Sequence, residues 1–157
     1  MHVRILALGK INQEIVNTVK QTVEERLKIK IQPPSRHMLP EQFYNGARKQ
    51  YSASQILDHL AKRYLFSSDR IIALMEEDLY VLPLEYIFAT TDASRHIALI
   101  STARLKKTSR IINATLHEIG HLYGLDHCET KDCIMFPTQG DVRVIDKKTH
   151  FCQLHRM

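Results

Sequence analysis

The chain has 157 residues, of which 44% are hydrophobic and 25% are charged. This composition is typical of one globular domain and excludes disorder, collagen and coiled coil as descriptions of the whole chain. No apolar run approaches the roughly 20 residues that span a bilayer. The apolar run over residues 5–8 is also shorter than the ~7–15 residues of a signal-peptide core. We therefore expect one cytoplasmic domain over residues 1–157.

The formal net charge is +5, from 22 basic and 17 acidic residues. The basic residues are spread along the chain and form a tight cluster only at Lys106, Lys107 and Arg110. We interpret this cluster as the solvated beginning of a helix rather than as a nucleic-acid contact. We therefore expect a monomer with no membrane or nucleic-acid partner.

The N-terminal third alternates between strand and helix patterns. Residues 3–8 predict a buried strand, and Asn12 is the expected N-cap of a helix that continues to about Leu27. Residues 29–31 alternate with lysine and predict a second strand. Residues 33–50 contain three prolines and a glycine. They predict a long loop, which we expect to wall a cleft.

The middle of the chain continues the alternation. A helix begins at Ser52 or Ser54 and ends near Leu65. Three further apolar segments predict strands: residues 70–74, 86–90 and 96–101. The short connection between the last two suits an antiparallel hairpin, whereas strands separated by helices pair in parallel. The expected fold class is α/β, with a mixed, mostly parallel sheet, an antiparallel edge strand and packed helices.

A helix rich in metal-ligand residue types follows the last strand. Ser109 is its expected N-cap, and it carries His117, Glu118 and His121. Because residues four apart share one face of a helix, the two imidazoles can bind one zinc ion. Glu118 is turned by about 100° from His117, so it can reach a water on the metal rather than the metal itself. Gly120 inside this helix indicates the close approach of another backbone.

The motif continues beyond the helix as H-E-x-x-H-x-x-G-x-x-H. Gly124 is suited to a left-handed position at the end of the helix, after which His127 can return as a third ligand. Three histidines leave a fourth position free, which is typical of a catalytic zinc site. Zinc makes hydroxide available near neutral pH, and Glu118 would serve as general base and then as general acid.

A second group of ligand-type residues lies near the C-terminus. Four residues have the spacing of a closed structural zinc site: Cys128, Cys133, Cys152 and His155. In a reducing compartment, three cysteines close to histidines favour a metal over a disulfide. His150 is an alternative fourth ligand. We expect this second zinc ion to staple a small C-terminal subdomain, residues 125–157, onto residues 1–124.

Residues 117–155 resemble the archaemetzincin family of metzincin-clan zinc peptidases. As in that family, the extended histidine motif is followed directly by Cys128, then by a C-x-M segment at residues 133–135 and by a late cysteine, Cys152. The chain departs from the family pattern at His155, which stands in place of a cysteine. The spacing before Cys152 is also slightly shorter.

The resemblance implies a metzincin-like fold and peptide-bond hydrolysis. It implies that Met135 is the Met-turn residue, packed beneath the catalytic histidines without binding zinc. It also implies that the antiparallel edge strand, residues 86–90, rims the cleft and could pair with an extended peptide substrate.

The favoured function is a zinc-dependent metallopeptidase that acts on a peptide or protein. One alternative is a zinc-stabilised peptide- or nucleic-acid-binding module without turnover, and another is hydrolysis of a non-peptide amide. Glu118 argues against the binding module, since a structural site needs no carboxylate there. An aminopeptidase would need an acidic anchor for the free amine of its substrate, and the candidates are Glu76, Glu77 and Asp78.

Overall fold

The computed structural model describes residues 2–157. Its strands are β1 (Val3–Leu8), β2 (Ile31–His37), β3 (Tyr44–Asn45), β4 (Gln50–Ser52), β5 (Arg70–Met75), β6 (Leu79–Tyr80), β7 (Ala89–Asp92) and β8 (Ile97–Ser101). Its α-helices are α1 (Gln13–Leu27), α2 (Ala53–Arg63), α3 (Thr108–Leu122) and α4 (Val142–Asp146). Within this range no helix has the length and apolar character needed to cross a bilayer.

The main sheet has five strands in the order β2-β1-β5-β8-β7. The three pairs among β2, β1, β5 and β8 are parallel, whereas β7 is antiparallel to β8. This topology confirms the predicted mostly parallel sheet with one antiparallel edge strand. Because β7 pairs with one neighbour only, its other edge remains available to a ligand.

Helices cover both faces of the sheet. In β1, Ile5 and Ala7 point towards the layer of α1 and α3, whereas Leu6 and Leu8 point towards α2. All four side chains are buried. Strands that are covered on both faces read as continuous apolar runs. This property allowed β1, β5 and β8 to be predicted from the sequence.

The first helix begins as predicted, but the second strand neither begins nor ends at the predicted residues 29 and 31. The Asn12 side chain accepts a hydrogen bond from the backbone N–H of Glu14 at 2.7 Å and caps α1. β2 continues through Pro33 and Pro34 to His37, where the sequence predicted a loop. Proline lacks an N–H, but β2 is an edge strand with one partner, so the missing donor is tolerated there.

Residues 38–52 contain short elements that the sequence did not indicate. β3 and β4 of this segment join β6, from later in the chain, in a separate small sheet of two- and three-residue strands, which are too short to show a period. Of the two predicted caps of α2, Ser52 is the N-cap, since its hydroxyl accepts from the N–H of Gln55 at 3.4 Å. The helix ends at Arg63, slightly before the predicted Leu65.

The predicted N-cap of the histidine-bearing helix was wrong. α3 begins at Thr108, with Lys107 rather than Ser109 in the N-cap position and no side-chain cap. Arg110 instead forms an ion pair with Asp146 of α4 at 2.7 Å. A tertiary contact therefore holds this end of α3, and it also accounts for one member of the basic cluster.

The edge strand lies further along the chain than predicted. The sequence indicated residues 86–90, whereas β7 spans Ala89–Asp92. The connection to β8 is a short 3-10 turn in which the Asp92 side chain accepts from the N–H of Arg95. Residues 86–88 precede β7 and line a cleft. Their apolar side chains, which suggested a strand in the sequence, therefore belong to the wall of the cleft.

Candidate metal centre

The turn after α3 brings the third histidine back towards the first two. Gly124 adopts a φ of +85°, a left-handed conformation that favours glycine. The N–H of Leu125 donates to the carbonyl of Gly120 at 2.9 Å, and that of Gly124 donates to the carbonyl of His121 at 3.0 Å. These two bonds define a Schellman motif. The chain then reverses, and one ligand atom each of His117, His121 and His127 lies within 4.8 Å of the others.

Backbone carbonyls orient two of the three imidazoles. His117 Nδ1 lies 2.7 Å from the carbonyl oxygen of Ile134, and His121 Nδ1 lies 2.8 Å from that of Leu125. A carbonyl can only accept, so both Nδ1 atoms carry the hydrogen and donate it. Both Nε2 atoms are then left with a lone pair, which is the form in which histidine binds metals.

The two Nε2 atoms lie 3.1 Å apart. Burial, together with the nearby Lys148 ammonium, lowers the pKa of His117 to about 3, so this ring stays neutral at pH 7. Two lone pairs that face each other at this distance repel unless a cation lies between them. The donor set and its orientation therefore fit a zinc ion.

Glu118 lies beside the histidines and is only 8% exposed. Its Oε2 accepts a hydrogen bond from the Thr91 hydroxyl of β7 at 2.6 Å. Burial raises the pKa of Glu118, and the Thr91 hydrogen bond partly opposes this rise. A carboxylate of raised basicity in a cleft is suited to accepting a proton. Thr91 is part of no motif, so this contact could not be predicted from the sequence.

Met135 packs directly against the metal-binding helix. It is fully buried, and a Cβ on Gly120 would overlap its Sδ atom and touch Leu125. The sequence predicted that Gly120 allows the approach of another backbone. This prediction was wrong, because the atoms nearest to a Cβ at this position belong to side chains. Gly120 lies between the two histidines of α3, so Met135 supports the segment that presents them.

Gly120→Ala is expected to lower the free energy of unfolding by about 1–3 kcal/mol, because the new methyl group overpacks against Met135. The better helix propensity of alanine, worth about 1 kcal/mol, offsets only part of this loss. Urea unfolding measures the difference. Gly46→Ala is the matched control, since a Cβ there meets nothing within 4 Å. Equal stabilities of the two variants would contradict the packing argument.

The cysteine group also comes together. The ligand atoms of its four members lie within 4.8 Å of one another: Cys128, Cys133, Cys152 and His155. The Sγ atoms of Cys128 and Cys152 are 3.7 Å apart, far beyond the ~2.05 Å of a disulfide. Two thiolates bound to one tetrahedral zinc at about 2.3 Å would be about 3.8 Å apart. The group therefore has the dimensions of a closed zinc site.

His155 rather than His150 completes this group. His155 Nδ1 lies 3.2 Å from Cys152 Sγ. The side chain of His150 is exposed and contacts the hydroxyl of Thr149 instead. His150 contacts the segment after Cys133 through its backbone, since its carbonyl accepts a hydrogen bond from the N–H of Ile134 at 2.8 Å.

The three histidines line a cleft of about 910 Å³ between β7 and α3. The resemblance implied that the edge strand rims the cleft, and β7 with the segment before it lines one side. The predicted loop does not contribute: among the described residues that line the cleft, none belongs to residues 33–50. Residues 36–40 instead line a separate cavity of about 390 Å³ beside α2.

The acidic run before β6 does not line the cleft either. None of Glu76, Glu77 and Asp78 is among the described residues that line it. Asp78 instead accepts hydrogen bonds from Arg104 and from Gln50, at 2.8 and 2.9 Å. The proposed anchor for a free amine was therefore wrong, and the carboxylate of Asp78 has a structural role.

Lys148 is a cleft residue that the sequence did not reveal. Its side chain is only 3% exposed, and Nζ donates to the carbonyl of Ile134 at 2.8 Å. Burial lowers the pKa of Lys148 to about 8, so the group remains mostly protonated at pH 7. It follows another lysine in a polar stretch, which is the usual pattern of a solvated surface.

Comparison with known proteins identifies the family. The sequence model of peptidase family M54 matches residues 2–156. An archaemetzincin of Methanopyrus kandleri is 32% identical over 146 aligned residues, which cover 88% of this chain and 82% of that protein. An archaemetzincin of Saccharolobus islandicus strain Y.N.15.51 is 30% identical over 167 aligned residues, which cover 98% of this chain and 90% of that protein.

Solved structures agree with these matches. The crystal structure of the Methanopyrus kandleri archaemetzincin superposes with a TM-score of 0.82 at 30% identity, covering 99% of this chain and 92% of that one. The structure of a zinc-dependent peptidase from Methanocorpusculum labreanum has the same fold, with a TM-score of 0.84 at 22% identity and coverage of 98% and 97%. The chain therefore belongs to peptidase family M54, the family of the archaemetzincins, and is a zinc-dependent peptidase.

Proposed function

We propose that His117, His121 and His127 hold a catalytic zinc ion and that Glu118 is the general base of peptide-bond hydrolysis. The observation that carries the proposal is the 3.1 Å approach of two Nε2 lone pairs at the wall of the cleft. When bound, zinc supplies Lewis-acid activation of water and of the scissile carbonyl.

The chain itself supplies the proton transfers. The buried Glu118 carboxylate, held by Thr91 through one oxygen, accepts the proton of the attacking water. It then delivers that proton to the leaving amine, so its raised pKa serves both steps. The free edge of β7 would hold an extended peptide substrate through backbone hydrogen bonds.

We further propose a second, structural zinc ion on the cysteine group. Its ligands would be Cys128, Cys133, Cys152 and His155. Four protein ligands leave no position for water, so this ion would stabilise a C-terminal subdomain over residues 125–157, with Met135 as its Met-turn residue. Reduced cysteines are consistent with a cytoplasmic location.

Metal analysis together with a peptide-library digest tests the proposal. We expect two zinc ions per chain in untreated protein. After the cysteines have been alkylated and the protein has been re-equilibrated with zinc, we expect one zinc ion per chain. We expect cleavage products that disappear with a chelator and return with added zinc. Cleavage that survives complete zinc removal would contradict the mechanism, and binding of peptide or nucleic acid with no cleavage would favour the non-catalytic alternative.

Thr91→Val is expected to lower kcat by about tenfold and to move the acidic limb of the kcat/KM profile to higher pH. The Thr91 hydrogen bond lowers the pKa of Glu118, so its loss raises that pKa, and the base becomes deprotonated only at higher pH. A pH–rate profile measures the shift. Thr91→Ser retains the hydroxyl and should keep the wild-type profile; a shift of similar size in both variants would contradict this role.

A further inference from the structure

Lys148 places a buried cation at the cleft. The residue lines the cleft together with His117 and Glu118, although its side chain is almost inaccessible. Its Nζ lies 3.1 Å from His117 Nδ1. Because the Nε2 of the same ring faces the other histidines, the ammonium lies one imidazole ring away from the proposed catalytic metal position.

Lys148 forms no ion pair among residues 2–157, and the acidic groups that interact with it at longer range are Glu118 and Cys133. An ammonium has three hydrogens, and the carbonyl of Ile134 accepts one of them. His117 Nδ1 directs its own hydrogen at the same carbonyl, so it offers no lone pair to Lys148. A buried charge that forms no direct ion pair is costly, and an incoming anion would lower that cost.

The surroundings of Lys148 strengthen an interaction with an anion. Phe88, Ala114 and Ile145 line the same cleft and are themselves buried apolar residues. Charged groups interact more strongly beside apolar walls than in water, because the local dielectric constant is lower. The Glu118 carboxylate interacts with Lys148 electrostatically, but its recorded side-chain hydrogen bond comes from Thr91 rather than from Lys148.

We infer that Lys148 determines specificity by binding a substrate carboxylate next to the scissile bond. This inference rests on the proposed function, because it places the substrate in the same cleft. The carboxylate belongs either to an aspartate or glutamate side chain or to the free C-terminus of a short peptide. Both sources present the same chemistry, and matched peptides separate them.

Matched peptides test the inference in zinc-loaded wild-type protein. Pairs that differ only by Glu against Gln, or Asp against Asn, beside the cleaved bond are compared with free and with amidated C-termini. We expect the acidic member, or the free C-terminus, to be preferred by about 10- to 100-fold in kcat/KM, which is the range of a charge-assisted hydrogen bond. In Lys148→Met this preference should fall to within about threefold. Cleavage without any preference would overturn the inference and leave the proposed function intact.

A binding measurement separates failure of the inference from failure of the function. Zinc-loaded Glu118→Gln protein is titrated calorimetrically with the acidic peptide and with its amide counterpart, and zinc content is measured in parallel. Acid-selective binding by this inactive variant would support the role of Lys148, whereas failure of zinc-loaded wild-type protein to cleave the same peptides would contradict hydrolysis. Equal affinities, or no binding of the acidic peptide, would overturn the inference. If Lys148→Met loses zinc or fails to fold, the comparison of paired peptides on wild-type protein still tests whether a substrate carboxylate is preferred.

Discussion

Glu118→Gln is expected to lower kcat by about 10²- to 10⁴-fold, the range that a positioned general base contributes. Glutamine has the size of glutamate but no basic oxygen of comparable strength, so it cannot take the proton of water. Its amide oxygen can still accept the Thr91 hydrogen bond, so the local packing should be kept. Removing a buried charge should also leave the free energy of unfolding unchanged or slightly higher.

Steady-state kinetics, zinc analysis and thermal unfolding of the same preparation check this expectation. The variant should retain as much zinc as the wild type, because Glu118 is not a proposed ligand. Glu25→Gln is the matched control: it removes an exposed carboxylate on α1 and should keep wild-type kcat. Full turnover in Glu118→Gln would contradict the general-base role, and loss of zinc would show that the carboxylate acts on the metal site instead.

Cys133→Ser is expected to remove one zinc ion per chain and to lower the free energy of unfolding by at least about 4 kcal/mol. Cys133 is fully buried, and its Sγ accepts hydrogen bonds from the N–H groups of Met135 and Cys152. The next residue, Ile134, provides the carbonyl that orients His117. Loss of the structural zinc should therefore also disturb the orientation of His117 in the catalytic site.

Urea unfolding at controlled free zinc, with zinc analysis, measures this effect. Wild-type protein treated with a chelator should approach the stability of Cys133→Ser. His150→Ala is the control, since the exposed imidazole lies outside the cysteine group. It should keep two zinc ions and near-wild-type stability. Retention of two ions in Cys133→Ser, or loss of one in His150→Ala, would contradict the proposed ligand set.

The features that the sequence predicted are those that local spacing encodes. β1, β5 and β8 are buried on both faces and therefore appear as apolar runs. Asn12 caps α1 through a contact two residues away, and Gly124 ends α3 through bonds within one turn. The histidines and cysteines follow fixed spacings that a metal site imposes, so both groups could be proposed before the structure was known.

The features that the sequence missed depend on contacts between distant residues. Thr91 reaches Glu118, and Lys148 reaches the carbonyl of Ile134, without any periodic pattern that would mark either residue. The prolines of β2 read as a loop because their tolerance depends on an edge position that only the assembled sheet defines. The start of α3 was misplaced because the ion pair of Arg110 holds it instead of a local cap.

Anomalous diffraction at the zinc edge, on crystals grown with zinc, tests the catalytic centre most directly. We predict a peak about 2.0–2.1 Å from one nitrogen each of His117, His121 and His127, with the fourth position occupied by water or another small ligand. A fourth protein side chain on that ion, or a peak that contacts fewer than three of these histidines, would contradict a hydrolytic zinc site.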